Sequence, residues 1–220
     1  MTTSTEPDNG LDALLAEIRA CRACLGQLPH TPRPVVMVAP ETRLLICGQA
    51  PGRRVHESGL PFTDPSGVRL RDWMGVDEAT FYGDPRLGVA AQAFCFPGTD
   101  PKGGDYPPPT RCADLWRPQL MDALPRMELT LLVGGYAQAW ALGARAKANM
   151  TETVRAWRDY GPDILPLPHP SWRNTAWLSR NPWFEAEVLP YLQARVRDIL
   201  SPAHPREGGD PDRAEHGALV

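Results

Sequence analysis

No apolar run in the 220 residues approaches the 18 or so that a membrane-spanning helix needs, so no spanning segment is expected. The N-terminus has neither a basic start nor an apolar block, so a secretory leader is not expected either, and the expected location is cytoplasmic. A surplus of basic residues is also missing. With 23 Lys and Arg against 26 Asp and Glu, the net charge is −3, which excludes a uniformly basic nucleic-acid-binding surface. Four acids and two arginines stand in the Pro- and Gly-rich last twenty residues, so part of the acidity belongs to a tail. Two signatures of other α/β enzymes are absent as well. No Lys-Ser/Thr follows a glycine-rich turn, and there is no Gly-x-Ser-x-Gly elbow, which argues against P-loop and serine-hydrolase chemistry.

What is present suits one α/β domain over residues 1–200, with residues 201–220 expected to be a disordered tail. Residues 1–9 are polar and expected to fray, with Asp8 or Asn9 available as a cap. Leu11, Leu14, Leu15 and Ile18 recur at helical spacing and lead into Cys21-Arg22-Ala23-Cys24. A Pro-rich connector, Leu28 to Pro40, precedes a buried strand at Leu44 to Cys47. Further strands are predicted at Arg86 to Phe96, Leu129 to Val133 and Ile164 to Leu167. Helices are predicted around Val68 to Met74, Ala113 to Arg126, Tyr136 to Leu142 and Thr151 to Trp157. A last helix begins at Asn181-Pro182, runs through Ile199, and is expected to bend at Pro190. Strands alternating with helices imply a three-layer α/β/α fold around a four-stranded parallel sheet.

The chain is organised around Arg43 to Gly67. A buried strand breaks at Gly48-Gln49-Ala50-Pro51-Gly52, which neither helix nor strand continues through. Such a turn sets backbone N–H groups at the carboxyl edge of a parallel sheet, where these sheets bind ligands. Arg53, Arg54, His56, Glu57, Phe62 and Asp64 follow in a connection longer than the usual two to six residues. Together with Lys102, Arg111 and Arg173, the two arginines are expected to form a local basic groove.

This stretch resembles motif A of the uracil-DNA glycosylase superfamily, a strand ending in Gly-Gln/Glu-Ala/Asp-Pro-Gly/Tyr. About 120 residues later His169-Pro170-Ser171 is similar to that superfamily's His-Pro-Ser motif, again after a strand. The resemblance implies an enzyme that hydrolyses the N-glycosidic bond of a flipped uracil or other deaminated base in DNA. It implies His169 as a donor to the leaving base, with the N–H of Gln49 as a second donor and Gly48, Ala50 and Pro51 lining the same turn. Phe62 matches the Pro-Phe that follows motif A and would stack on the base. Asp64-Pro65-Ser66-Gly67 is similar to the Asp-x-Ser-Gly of family 5 enzymes, which implies that Asp64 orients water and stabilises the sugar cation. Glu57 is the second candidate, and a reaction that needs no carboxylate is a third possibility. Ala50 stands where family 1 enzymes carry an Asp. No Asn ends the second strand, so Gln92 is the substitute reader of the base, and hypoxanthine and xanthine stay open beside uracil. Ser171 would contact a phosphate beside the flipped nucleotide, and Trp172 and Arg173 occupy the loop that in relatives wedges into the duplex, with Trp172 as the wedge or packed on the surface.

Five cysteines are present. Cys47 lies within an apolar strand and reads as a small buried hydrophobe. Disulfides are not expected in a cytosolic chain. Cys21, Cys24, Cys95 and Cys112 suit either a tetrahedral zinc site or an iron–sulfur cluster. Family 4 and family 5 glycosylases have cysteines spaced much like these, and that resemblance implies a 4Fe–4S cluster of structural use. DNA is the implied partner, and a monomer is expected. A non-catalytic lesion- or nucleotide-binding module of the same fold is the alternative, favoured by the missing Asn and the acidic balance.

Overall fold

The computed structural model describes residues 9–201. The expectations for residues 1–8, Asp8 as a cap included, and for the tail after Ser201 fall outside that range. Four short strands form the sheet: β1 (Leu44–Cys47), β2 (Leu87–Val89), β3 (Leu129–Val133) and β4 (Ile164–Leu167). They lie parallel in the order β2-β1-β3-β4, with Ile46 opposite Val89 on one side and Leu131 on the other. All of β1 and β2 is buried. Successive side chains of a strand point to opposite faces, so such a sheet needs cover on both.

On one face, Leu44, Ile46, Leu131, Val133 and Leu167 pack against α3 (Pro65–Met74), Phe81 of α4 (Glu78–Gly83), Val154 of α7 (Met150–Arg155) and α9 (Leu189–Leu200). On the other, Leu45 meets α1 (Asn9–Ala20) and α5 (Thr110–Asp122), while Cys47 and Leu132 meet α6 (Gly135–Leu142). The chain therefore forms the expected three-layer α/β/α arrangement. Leu11, Leu14, Leu15 and Ile18 form the buried stripe of α1, as their spacing predicts.

Several boundaries differ. The second strand is three residues long, not the eleven expected from Arg86 to Phe96. Beyond Val89 the chain stays buried but turns, with Gln92 N–H bonded to Gly48 O at 2.9 Å and Ala93 N–H to Gln49 O at 3.1 Å. Its apolar character reflects burial, not strand pairing. The Pro-rich connector closes the β2 edge through a bridge between Met37 and Val89. The helix expected to end at Arg126 ends at Asp122. Three short helices were not foreseen: α2 (Arg53–Ser58), α4 and α8 (Thr175–Arg180). Each has only six residues, too few to show a 3.6-residue period. Around Pro190 the last helix accommodates the missing N–H with a π-helical turn over Phe184–Val188.

The strand order positions the site. From β1 the chain passes to one side, to β2, whereas from β3 it passes to the other, to β4. Outside the carboxyl ends of β1 and β3 lies the crevice where parallel sheets take their ligands. The turn after β1, Gly134 after β3 and His169 after β4 all fall there.

Candidate active site

A cavity of about 120 Å³ opens at this edge, lined by Gly48 to Gly52, Pro61, Phe62, Asp64, Ser66, Asp105 and His169, with Val35, Val55, Val89 and Ala91 as its apolar wall. A single water needs about 10–15 Å³ in the same measure, so a planar guest of several atoms fits. Gln49 donates its side-chain amide to Tyr106 O at 3.1 Å, so the turn is tied to the loop that faces it. Gly52 caps α2 without a side chain, and Val55 of α2 is buried at the cavity.

Phe62 is held in an unusual backbone state, with φ at +57°, a region non-glycine residues seldom occupy. Its neighbours impose this. Tyr82 donates its hydroxyl to Pro61 O at 2.8 Å, and Arg71 donates to Phe62 O at 3.3 Å. Phe81 meets the Phe62 ring edge-on at 6.2 Å. Gly67 leaves the necessary room: a Cβ there would lie 1.8 Å from Phe62 O.

His169 stands where β4 ends, its Cβ 3.4 Å from where a Cβ on Gly134 would be. Ser171 N–H donates to His169 Nδ1 at 3.2 Å, which makes Nδ1 an acceptor and leaves the ring proton on Nε2. Burial pushes the His169 pKa below its usual value, with the nearby Asp64 carboxylate acting in the opposite direction. The ring is therefore a neutral imidazole with a donor available. Asn174, to which the sequence gave no role, fixes the segment by donating to His169 O at 2.7 Å.

Asp64 caps α3, its Oδ1 accepting from Ser66 Oγ at 2.6 Å and Gly67 N–H at 3.3 Å. Asp105 joins it at the cavity, which sequence reading missed because 41 residues separate the two. Burial raises the Asp105 carboxyl, Arg173 and Arg53 oppose that, and Asp64 adds to it.

Other expected residues fall elsewhere. Gln92 is 4% exposed and does not line the cavity; Val89 and Ala91 form the wall there, and Gln92 lies in the bend that follows, its N–H bonded to Gly48 O. Glu57 is exposed and outside the lining, and His56 packs tilted against His30, ring centroids 4.1 Å apart, while His30 stacks on Phe96. Ser171, Trp172 and Arg173 lie just past His169, with Trp172 72% exposed. Arg53, Arg54, Lys102 and Arg173 are exposed as expected, but Arg111 lines the cysteine cavity instead. Arg69, not anticipated, donates to Ser171 O at 3.0 Å and so links α3 to the His169 loop.

Cys21, Cys24, Cys95 and Cys112 line one narrow cavity of about 20 Å³, walled by Pro32, Pro34, Phe94 and Trp116. Phe94 N–H donates to Cys112 Sγ at 3.3 Å and Trp116 Nε1–H to Cys21 Sγ at 3.4 Å, the kind of bond that tunes cluster sulfurs. Burial pushes the Cys95 thiol up to about 12 and Cys112 up to about 11, with neighbouring cysteines adding to both. Among the described residues, no three His, Cys, Asp or Glu side chains are gathered closely enough to hold a metal ion. The four thiols, from three separate segments, nonetheless share this one apolar cavity. Cys47 lies apart, fully buried, accepting from Arg117 Nη2 at 3.0 Å.

A solution NMR structure of a candidate uracil DNA glycosylase from Methanosarcina acetivorans overlaps 76% of this chain and 98% of its own, at 18% identity and a TM-score of 0.41. That overlap is too loose to carry an argument. The sequence match is decisive: the Uracil DNA glycosylase superfamily model fits residues 35–193, which include the turn after β1, Cys95, Cys112 and His169 but not Cys21 or Cys24. Most of the chain, including every segment that walls the cavity, lies within that match, and the protein belongs to the uracil DNA glycosylase superfamily.

Proposed function

We propose that the protein is a monofunctional DNA glycosylase that hydrolyses the N-glycosidic bond of a flipped uracil or other deaminated base, opening base excision repair. The observation that carries this is the shared cavity of Phe62 and a neutral His169 with its proton on Nε2. An extruded base stacks on Phe62, a contact worth about 1–3 kcal/mol. As the bond breaks, negative charge gathers on the base, and His169 Nε2–H and the main chain of the Gly48–Gly52 turn stabilise it. A donor aimed at such an oxyanion contributes about 3 kcal/mol to the barrier. Asp64, whose charge is felt at His169, stabilises the cationic sugar.

Outside the cavity, Ser171 and Arg173 meet phosphate, and Trp172 fills the stack the base has left. With Gln92 away from the lining, the side-chain amide at the cavity is that of Gln49, whose Nε2 is already spent on Tyr106 O, so hypoxanthine and xanthine stand beside uracil as candidates. Cys21, Cys24, Cys95 and Cys112 would hold a 4Fe–4S cluster, with zinc as the alternative that metal analysis separates. When bound it supplies a rigid anchor; hydrolysis itself moves no electrons. The test is incubation with single- and double-stranded oligonucleotides carrying each of the three bases, followed by alkaline cleavage of abasic sites. Release of at least one base is expected; release of none would overturn the reading.

A further inference from the structure

We propose that Asp105 is a catalytic residue: its carboxylate orients and deprotonates the water that attacks C1′ of the flipped nucleotide. This rests on the glycosylase reading. The turn after β1 offers only a methyl group at Ala50 and nothing at Gly52. From the facing loop, Asp105 places Oδ2 3.7 Å from where a Gly52 Cβ would be, so a carboxylate lies against that bare turn and lines the same cavity as His169.

Asp64 is less free to act. Its Oδ1 already accepts both the Ser66 hydroxyl and the Gly67 N–H, and hydrogen bonds to a carboxylate weaken it as a base. Asp105 is presented by a loop that is held in place. Thr99 and Asp105 form an antiparallel bridge, Tyr106 N–H donates to Gly98 O at 2.9 Å, and Gln49 ties Tyr106 O to the turn. The residue is exposed enough for water to reach it, and Arg53, Arg173, Asp64 and His169 are the charged or titratable groups around it. Its raised carboxyl is a better proton acceptor than an ordinary aspartate.

The step balances without a further reactant. The water oxygen bonds to C1′ while the C1′–N bond breaks, and that electron pair leaves on the base, stabilised by His169 Nε2–H. The water proton passes to Asp105 and then to solvent, and the base anion regains a proton from solvent.

The test is single-turnover base release by wild type, Asp105→Asn and Asp105→Ala on whichever lesion the wild type cleaves. Expected is a loss of about 10²–10⁴-fold in both variants, with DNA affinity and melting temperature unchanged, and partial rescue of Asp105→Ala by added formate. An Asp105→Asn rate within threefold of wild type would overturn the assignment. So would a loss that formate does not restore and that accompanies a lowered melting temperature, since that marks a structural role. Wild type inactive on every lesion would overturn the glycosylase reading itself, and Asp105 with it.

Discussion

A single hydrogen bond decides what His169 can do. Because Ser171 N–H occupies Nδ1, the imidazole is fixed with its proton on the other nitrogen. The fold holds His169 neutral with a pKa below the ordinary 6.5. An unfolded chain therefore binds more protons here than the folded one as pH falls below about 6.5. This residue's effect on stability is absent above that pH, and stability declines as the pH drops from about 6.5 towards the lower folded value. Nitrogen-15 NMR should find a neutral Nε2–H tautomer at pH 7.5, and a charged ring or an Nδ1–H tautomer there would contradict the geometry. Gly67 is the other residue on which the site turns. A methyl group would run into Phe62 O, so Gly67→Ala should cost roughly 1–3 kcal/mol and displace the stacking ring. Thermal melting reads the first effect and base release the second.

At the scale of elements, the loop from Pro97 to Pro109 joins the two centres. It begins two residues after Cys95, ends three before Cys112, and carries Asp105 to the cavity. If the four cysteines hold a cluster, replacing Cys95 and Cys112 by Ser should abolish bound iron and sulfide. It should also speed amide exchange across Gly98–Tyr106; unchanged exchange would mean the loop is anchored by the turn alone. Reading the elements from sequence succeeded where a short apolar run ended at glycine or proline, as at β1, β3 and β4. It overextended β2 because Ala90 to Phe96 is apolar for a different reason, burial under α1 and α5. Asp64 could be found through the resemblance of Asp64-Pro65-Ser66-Gly67 to a known Asp-x-Ser-Gly pattern. Its neighbour Asp105 could not, because the hairpin that brings it to the turn is held by backbone bonds that leave no residue pattern.

For the molecule as a whole, a net charge of −3 coexists with exposed Arg53, Arg54, Lys102 and Arg173, of which Arg53 and Arg173 lie near Asp105 at the cavity. Binding to undamaged DNA should therefore be weak. Its dependence on salt should be shallow, with a slope of log K against log salt no steeper than about −4. Fluorescence anisotropy across a salt series checks this, and a much steeper slope would require a broader basic face than these residues form. The three layers followed from alternation of strands and helices, since a sheet buried on both sides leaves its mark in every strand. The site did not follow in the same way. Gln92 could be read as facing inward or outward until the chain was seen to turn after Val89. The most direct test of the central claim is single-turnover release of uracil, hypoxanthine or xanthine from DNA by wild type, His169→Ala and Phe62→Ala. Expected are release by wild type, a loss of about 10²–10³-fold without His169 and a smaller loss without Phe62. Release that proceeds equally well without His169 would contradict it.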